Sequence, residues 1–232
     1  MTSVSEGDLL DRPVYTMQQV DSILGISSGT THRWLEGYER GGHFYPPVVR
    51  SEPSGSEIVT WGEFVETRLL ALYRHARDMP MQRMRPAVEQ LRQEFGVKYP
   101  LAELRPYIRQ RELVYYLQQQ LGTEKELLLV VARNHQYVLA DPAQQFVEST
   151  EFEESENGIA LRIRPLGLDQ PVVLDPLRNF GQPAIRSVPT EVLAELFRAG
   201  DPVEMLAELY ELPALDVQAA LRFELGRGAA AA

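Results

Sequence analysis

The stretch from Tyr15 to Leu35, YTMQQVDSILGISSGTTHRWL, constrains this chain more than any other. Its spacing predicts two short helices joined by a tight turn. Thr16 and Gln19 stand at capping-box spacing, so each side chain can satisfy a backbone N–H of the other residue. Met17, Val20 and Leu24 recur at i, i+3 and i+7, one face of a helix. Gly25 ends that helix, because glycine takes positive φ without a Cβ clash. Ile26 plugs the gap, Ser27 is a fresh N-cap, and the second helix is predicted from Ser28 to about Glu36. Trp34 and Leu35 face inward; Ser28, Thr30, His32 and Arg33 face outward. In a helix-turn-helix that outward face enters the major groove. The alternative is an αα-hairpin that serves only the core.

The next residues bear on this choice. Gly37, Gly41 and Gly42 open a loop, and FYPPVVRSEPSGSEIVTW reads as two short β-prone runs around Pro53-Ser54-Gly55-Ser56, a two-stranded wing that carries Arg50. Thr60 and Glu63 form a second capping box. Trp61, Val65, Leu69, Leu72 and Ala76 then share one helical face, with the helix ending near Asp78. The order helix, helix, wing, helix over Tyr15 to Phe95 resembles the winged helix-turn-helix of MerR-like regulators. The resemblance departs at Thr31, where that family usually has an apolar residue.

Charge is unevenly distributed. The 232 residues carry a formal net charge of −10, which argues against a simple nucleic-acid binder. Yet Arg68–Glu112 holds ten basic and five acidic residues, whereas Asp141–Ala232 holds seven basic and sixteen acidic. Such a split points to different partners for the two halves. The bland alternative is solvated surface throughout. There is no cysteine, hence no disulfide or thiolate metal site. No apolar run is long enough for a membrane span. The polar start MTSVSEGDLLDRP does not read as a signal peptide, and a cytoplasmic location is expected. His32, His43, His75 and His135 lack metal-ligand spacing, and no nucleotide-binding or hydrolase motif occurs. We therefore expect no metal, no cofactor and no enzyme activity.

Further along, Pro80 suits a first helical turn. Met81, Met84, Val88, Leu91 and Phe95 form an apolar stripe closed by Gly96, with Pro86 dividing it. Arg83, Arg85 and Arg92 lie off the stripe, where they can meet phosphates. Residues 97–121 read either as helix or as a strand near Leu113–Leu117. Leu127–Ala132 is a candidate buried strand, turned at Asn134-His135 and returning over Gln136–Ala140. Asn157-Gly158 is a turn signal, and Ile159, Leu161 and Ile163 alternate with Ala160, Arg162 and Arg164 as in a half-buried strand. Phe152–Glu156 reads as a solvated edge, metal binding there being the weaker alternative.

The last third begins with a strand over Val172–Pro176 and a turn and second strand over Gly181–Val188. Thr190 is predicted to cap a helix closed by Gly200, and Asp201 to cap the next, with Pro202 at its first position. Met205, Leu206, Leu209 and Tyr210 form its apolar side. Pro213 opens the last helix, with Leu215, Ala219, Leu221 and Leu225 apolar and the tail GRGAAAA frayed. The segment from Asp175 to Glu224, DPLRNFGQPAIRSV and its following helices, resembles the small homeodomain-like domain of bacterial VapB-type antitoxins. Asp175, Pro176, Gly181, Pro183 and Ile185 match that pattern. Ser187 replaces its usual glycine, and Pro202 stands where serine or threonine is common.

These readings predict an α+β, mainly helical chain. It divides into an arm (1–12), a winged helix-turn-helix (13–96), a β-containing middle domain (97–168), a homeodomain-like domain with a short β-hairpin (169–226) and a disordered tail (227–232). The candidate DNA contacts are Ser28, Thr30, His32, Arg33, Arg50, Arg83 and Arg85. The resemblance implies an antitoxin that silences a PIN-type ribonuclease toxin and represses its own operon, and it prompts Arg178, Phe180 and Arg186 as toxin contacts. Expected partners are double-stranded operator DNA, the toxin and a second copy of the chain. Two other readings stay open, a MerR-like regulator whose middle and C-terminal regions sense a ligand, and an interaction scaffold without a DNA role.

Overall fold

A computed structural model describes residues 9–76, 81–108, 110–133, 136–155 and 157–230. The fold is α+β, about half helical, and its strands form small antiparallel pairs with no closed barrel among the described residues. Strand β1 (Pro13–Thr16) leads into α1 (Met17–Leu24) and α2 (Thr30–Leu35). The capping box at Thr16 and Gln19 is present in both directions. Gly25 closes α1 at φ 61°, and Ile26 is buried between the helices. The second helix starts later than predicted. Its N-cap is Gly29, at φ 76°, and not Ser27.

The predicted wing is displaced. β2 (Tyr38–Arg40) pairs with β3 (His43–Tyr45) across Gly41-Gly42. Both glycines have positive φ, as a type I′ hairpin turn requires. The stretch around Pro53–Ser56 is a loop without strands, and β4 (Ile58–Thr60) returns to pair with β1. The capping box at Thr60 and Glu63 starts α3, Trp61–Ala76. This helix is not amphipathic as expected. From Trp61 to Ala71, and again at Tyr73, every side chain is buried, while Leu72 is half-buried and Ala76 exposed. It is the axis about which the rest packs. Predicted features at Asp78 and Pro80 lie outside the described residues.

Met81–Met84 forms a 3₁₀ turn and α4 (Arg85–Phe95) follows, with Pro86 in its first turn and Gly96 at its left-handed C-cap. In the ambiguous segment after residue 97, a 3₁₀ turn spans Pro100–Ala102 and Glu103 bridges to Ile159, and α5 covers Arg111–Gln120, so Leu113–Leu117 is helix and not strand. β5 (Val130–Arg133) and β6 (Gln136–Leu139) form the expected hairpin, whose predicted turn at Asn134-His135 lies outside the described residues. α6 (Asp141–Val147) leads to β7 (Thr150–Phe152), paired with β8 (Ala160–Ile163). The alternation predicted for β8 is shifted. Ala160 and Ile163 are buried while Leu161 is half-buried, because a bulge between Glu151 and Phe152 changes the phase of the strand.

This middle region has no core of its own. Trp61 Nε1 donates to Ala160 O at 2.7 Å, Tyr73 OH to Leu128 O at 2.7 Å, and Arg68 Nη2 to Ser149 Oγ at 2.6 Å. One apolar cluster therefore runs from Leu9 to Leu174. A second holds Val172, Ile185, Leu193, Leu206, Val217 and Phe223. It belongs to a C-terminal unit of β9 (Ala184–Ile185), β10 (Val188–Pro189), α7 (Thr190–Ala199), α8 (Val203–Leu209) and α9 (Ala214–Ala230).

Several details of that unit differ from expectation. Val172–Pro176 makes only single bridges, Val173 to Ala184 and Leu174 to Ile163. Thr190 does not cap α7. It is buried, and its hydroxyl bonds Pro183 O and the Glu224 carboxylate across the unit. Asp201 does not cap α8 either, whose N-cap is Pro202. Gly200 does close α7, at φ 111°. The tail expected to fray continues α9 to Ala230, anchored by Arg227 on Ser22 and Glu224.

Candidate nucleic-acid interface

The α1–α2 pair is held by a residue that sequence patterning passed over. Asp21 is buried on the inner side of α1. Its carboxylate accepts from Gly29 N at 2.6 Å, Thr31 N at 2.8 Å and Thr31 Oγ1 at 2.6 Å. A charged acceptor thus supplies the N-terminal capping of a six-residue helix too short to be stable alone. It also explains Thr31, which is fully buried. An apolar residue would fill the space but leave Asp21 one donor short. Asp21 was detectable, since it falls beside Val20 on the face that Met17 and Leu24 define.

Of the predicted DNA contacts, Ser28, His32 and Arg33 are exposed, and Thr30 is buried. Thr30 instead accepts from Arg33 Nη2 at 2.9 Å, which orients the guanidinium on the outer face of α2. The β2–β3 hairpin follows directly and carries exposed Arg40 and His43 near its tip. Tyr38 and Tyr45 stack at 4.9 Å on its two strands, with His43 edge-on to Tyr45. The structure thus puts His32 and Arg33 on one short helix, with Ser28 in the turn just before it, and places a stiff, basic-tipped hairpin next in the chain.

Arg50 is turned inward. Its guanidinium bonds Glu36, Glu63 (Nε to Oε1, 2.7 Å), Ser54 Oγ at 2.6 Å, Ser56 O at 3.1 Å and Ile58 O at 2.9 Å. Burial works to raise the Glu36 carboxyl, but hydrogen bonds from Gly55 and Ser54 and the Arg50 charge outweigh it and hold Glu36 below its usual range. This one arginine organises the loop that was predicted to be a wing. Arg85 acts similarly, with Nε on Pro47 O at 2.6 Å and Nη2 on Ser51 O at 3.1 Å. Arg83 is exposed and paired with Glu124.

Among the described residues, the basic excess between Arg68 and Glu112 is therefore largely committed to internal partners. Arg68 is buried over the Phe146 ring, and burial pushes it down to about 10. Arg92 donates to Val49 O at 2.7 Å and stands 3.9 Å from buried Glu66, whose carboxyl burial pushes up to about 8 against the Arg92 charge. Arg105 pairs with Glu103 and Arg111 with Tyr107 O.

At the other end, Arg178 and Arg186 line one cavity of about 340 Å³, together with Arg162, Arg164, Asp175 and Asp216. Phe180 beside it is 87% exposed and sits at φ 53°. Its neighbour Gly181 packs against the N-terminal region, where Tyr15 OH donates to Gly181 O. The predicted apolar side of α8 is partly open to solvent. Leu206 is buried, but Met205 is 53% exposed, Leu209 63% and, in the first turn of α9, Leu215 74%. Among the described residues no group of histidine, aspartate or glutamate side chains could hold a metal, and no helix is long and apolar enough to cross a membrane.

Relatives place this architecture. The chain is 38% identical over 229 residues to the uncharacterized protein Rv2308 of Mycobacterium tuberculosis (strain ATCC 25618 / H37Rv), covering 95% of this chain and 93% of that one. The chain belongs to the Rv2308 family. A second protein of that organism, named "Putative antitoxin VapB45", is 27% identical over 215 residues, 86% of this chain and 89% of its own. The crystal structure of Rv2018 from Mycobacterium tuberculosis superposes with a TM-score of 0.72 at 26% identity, covering 91% of this chain and 99% of that one. A family model described as a protein of unknown function, DUF433, matches residues 172–223. That span coincides with the second apolar core.

Proposed function

We propose that the chain is an antitoxin, a DNA-binding protein that silences a ribonuclease toxin of the PIN type and represses the operon encoding both. The observation that carries this reading is the likeness to the protein named as an antitoxin, which runs through both the N-terminal and the C-terminal region. The winged helix-turn-helix and homeodomain-like descriptions belong to this proposal. In it α2 enters the major groove with His32 and Arg33 toward base edges and Ser28 toward a phosphate, and the β2–β3 hairpin serves as the wing. Arg50 and Arg85 build the scaffold behind them.

The toxin seat in this reading is the exposed apolar material of the C-terminal unit. Met205 and Leu209 are one helical turn apart on α8 and share a face, and Leu215 and Phe180 extend the supply. Contiguous apolar surface left in water marks a protein-binding site more often than an accident. A twofold operator further calls for a homodimer, and the assembly works in the cytoplasm.

The test has two arms. Arg33→Ala should weaken operator binding by about 1–3 kcal/mol in fluorescence anisotropy if the guanidinium reads a base. The double substitution Met205→Ser with Leu209→Ser should leave operator binding intact but abolish protection of RNA from the product of the adjacent reading frame. Full protection by the double variant would remove α8 from the toxin contact. Failure of the unaltered chain to protect RNA or to bind that product would sink the antitoxin reading.

A further inference from the structure

The part of the chain from Asp141 onward carries seven basic residues against sixteen acidic ones. Four of those seven, Arg162, Arg164, Arg178 and Arg186, line one cavity of about 340 Å³ where β8 meets the C-terminal unit. Only two carboxylates, Asp175 and Asp216, share its wall. Positive charge is thus concentrated in one concave place within an otherwise acidic surface.

The four arginines play two roles. Arg162 and Arg164 are ordered from behind. Arg162 Nε donates to Asp175 at 2.8 Å and its Nη1 reaches Glu151 at 3.4 Å. Arg164 pairs with Glu151 and donates to Gln170 O at 2.9 Å. Arg178 and Arg186 are uncommitted by comparison. Arg178 is 72% exposed, 3.7 Å from an Asp175 oxygen already taken by Arg162. Arg186 makes one long bond, 3.4 Å to Glu211 O. Two lining residues, Asn179 and Arg186, hold φ of 48° and 55°. Such left-handed conformations in residues other than glycine concentrate where a fold presents functional groups.

We propose that this cavity binds a small polyanion bearing at least two terminal oxyanion groups, a phosphorylated or polycarboxylate metabolite. Planar guanidiniums bind both kinds of oxyanion through paired N–H donors. The cavity exceeds a single phosphate and falls within the range of small-molecule sites. Arg178 and Arg186 grip the anion directly, and Arg162 and Arg164, each tied to a carboxylate, form the ordered wall behind them. This site is independent of the antitoxin reading, and it would give the chain a response to a metabolite.

The experiment uses the full chain and calorimetric titration with sodium pyrophosphate and with sodium citrate, at constant ionic strength. Saturable one-to-one binding of at least one probe is expected. The double variant Arg178→Ala with Arg186→Ala should weaken it tenfold or more, and the control Arg198→Ala with Arg222→Ala, exposed arginines of the same half, should leave it unchanged. Which probe binds tells a phosphate ligand from a carboxylate one. The proposal is overturned if neither probe saturates below millimolar concentration. Equal weakening in both double variants, which signals diffuse surface charge, also overturns it, as does a twenty-base-pair duplex that displaces the bound probe.

Discussion

Arg50 and Arg178 are the same residue type in opposite situations. Arg50 sits in the N-terminal region with two carboxylates and three further acceptors around a nearly buried guanidinium. Arg178 stands out in solvent at the rim of a cavity, sharing Asp175 with Arg162. The regions differ in the same way. The N-terminal region spends its cations on its own loops and its one large core, whereas the C-terminal unit closes a small core and leaves arginines, a phenylalanine and several leucines unspent. Charge counts along the chain therefore mislead in both halves. The described arginines of the segment with the basic excess are mostly tied to internal partners, and the acidic segment gathers four arginines around one cavity.

This contrast can be broken at measurable points. Arg50→Ala should have the largest effect, about 3–5 kcal/mol in urea unfolding, because it strands Glu36 and Glu63 without their counter-charge. A smaller loss would mean that the loop relaxes to admit water. Gly181→Ala tests whether the two regions act as one. A Cβ there would lie 2.7 Å from the Tyr15 hydroxyl at φ 79°, and we expect about 1–3 kcal/mol of destabilisation. Scanning calorimetry should then show the C-terminal unit melting before the rest, while a single unsplit transition would argue that the joint is carried elsewhere.

Thr31→Val puts an apolar residue in this buried place, yet it should destabilise by about 1–2 kcal/mol because Asp21 loses a buried donor. A neutral or stabilising result would show that packing outweighs the hydrogen bond. The smallest effect belongs to Arg178→Ala and Leu209→Ser, each expected within about 0.5 kcal/mol of the unaltered chain, as is usual for exposed positions. A loss above 1 kcal/mol at either would show that the C-terminal surface is structural after all.

Much of the fold was legible. Caps and stops are written locally, so Thr16, Gln19, Gly25, Gly96 and Gly200 could be placed from spacing alone. The same logic failed where a distant partner competed. Thr190 and Asp201 have the right chemistry for caps, but Glu224 claims the Thr190 hydroxyl across the unit. Gly41-Gly42 was read as part of a loop and Pro53–Ser56 as the turn of the wing, whereas the hairpin forms at Gly41-Gly42 and β4 returns to pair with β1. Among the candidate residues, the exposure of His32 and Arg33 could be read from helical phase, while Ser28 lies in the turn before the helix. Arg50 could not be assigned, since phase says nothing about a loop.

Local rules thus determined from the sequence where helices begin and end, which faces of α1 and α4 turn inward, and that an outward face on α2 exists. These depend on neighbours within one or two turns, where steric and hydrogen-bonding preferences act directly. Tertiary structure alone decided which charges are free. A guanidinium on a flexible stem can reach solvent, a carboxylate or a carbonyl far away in sequence. Which of these it meets depends on chain segments that come together only after folding, as Glu36, Ser56 and Glu63 do around Arg50.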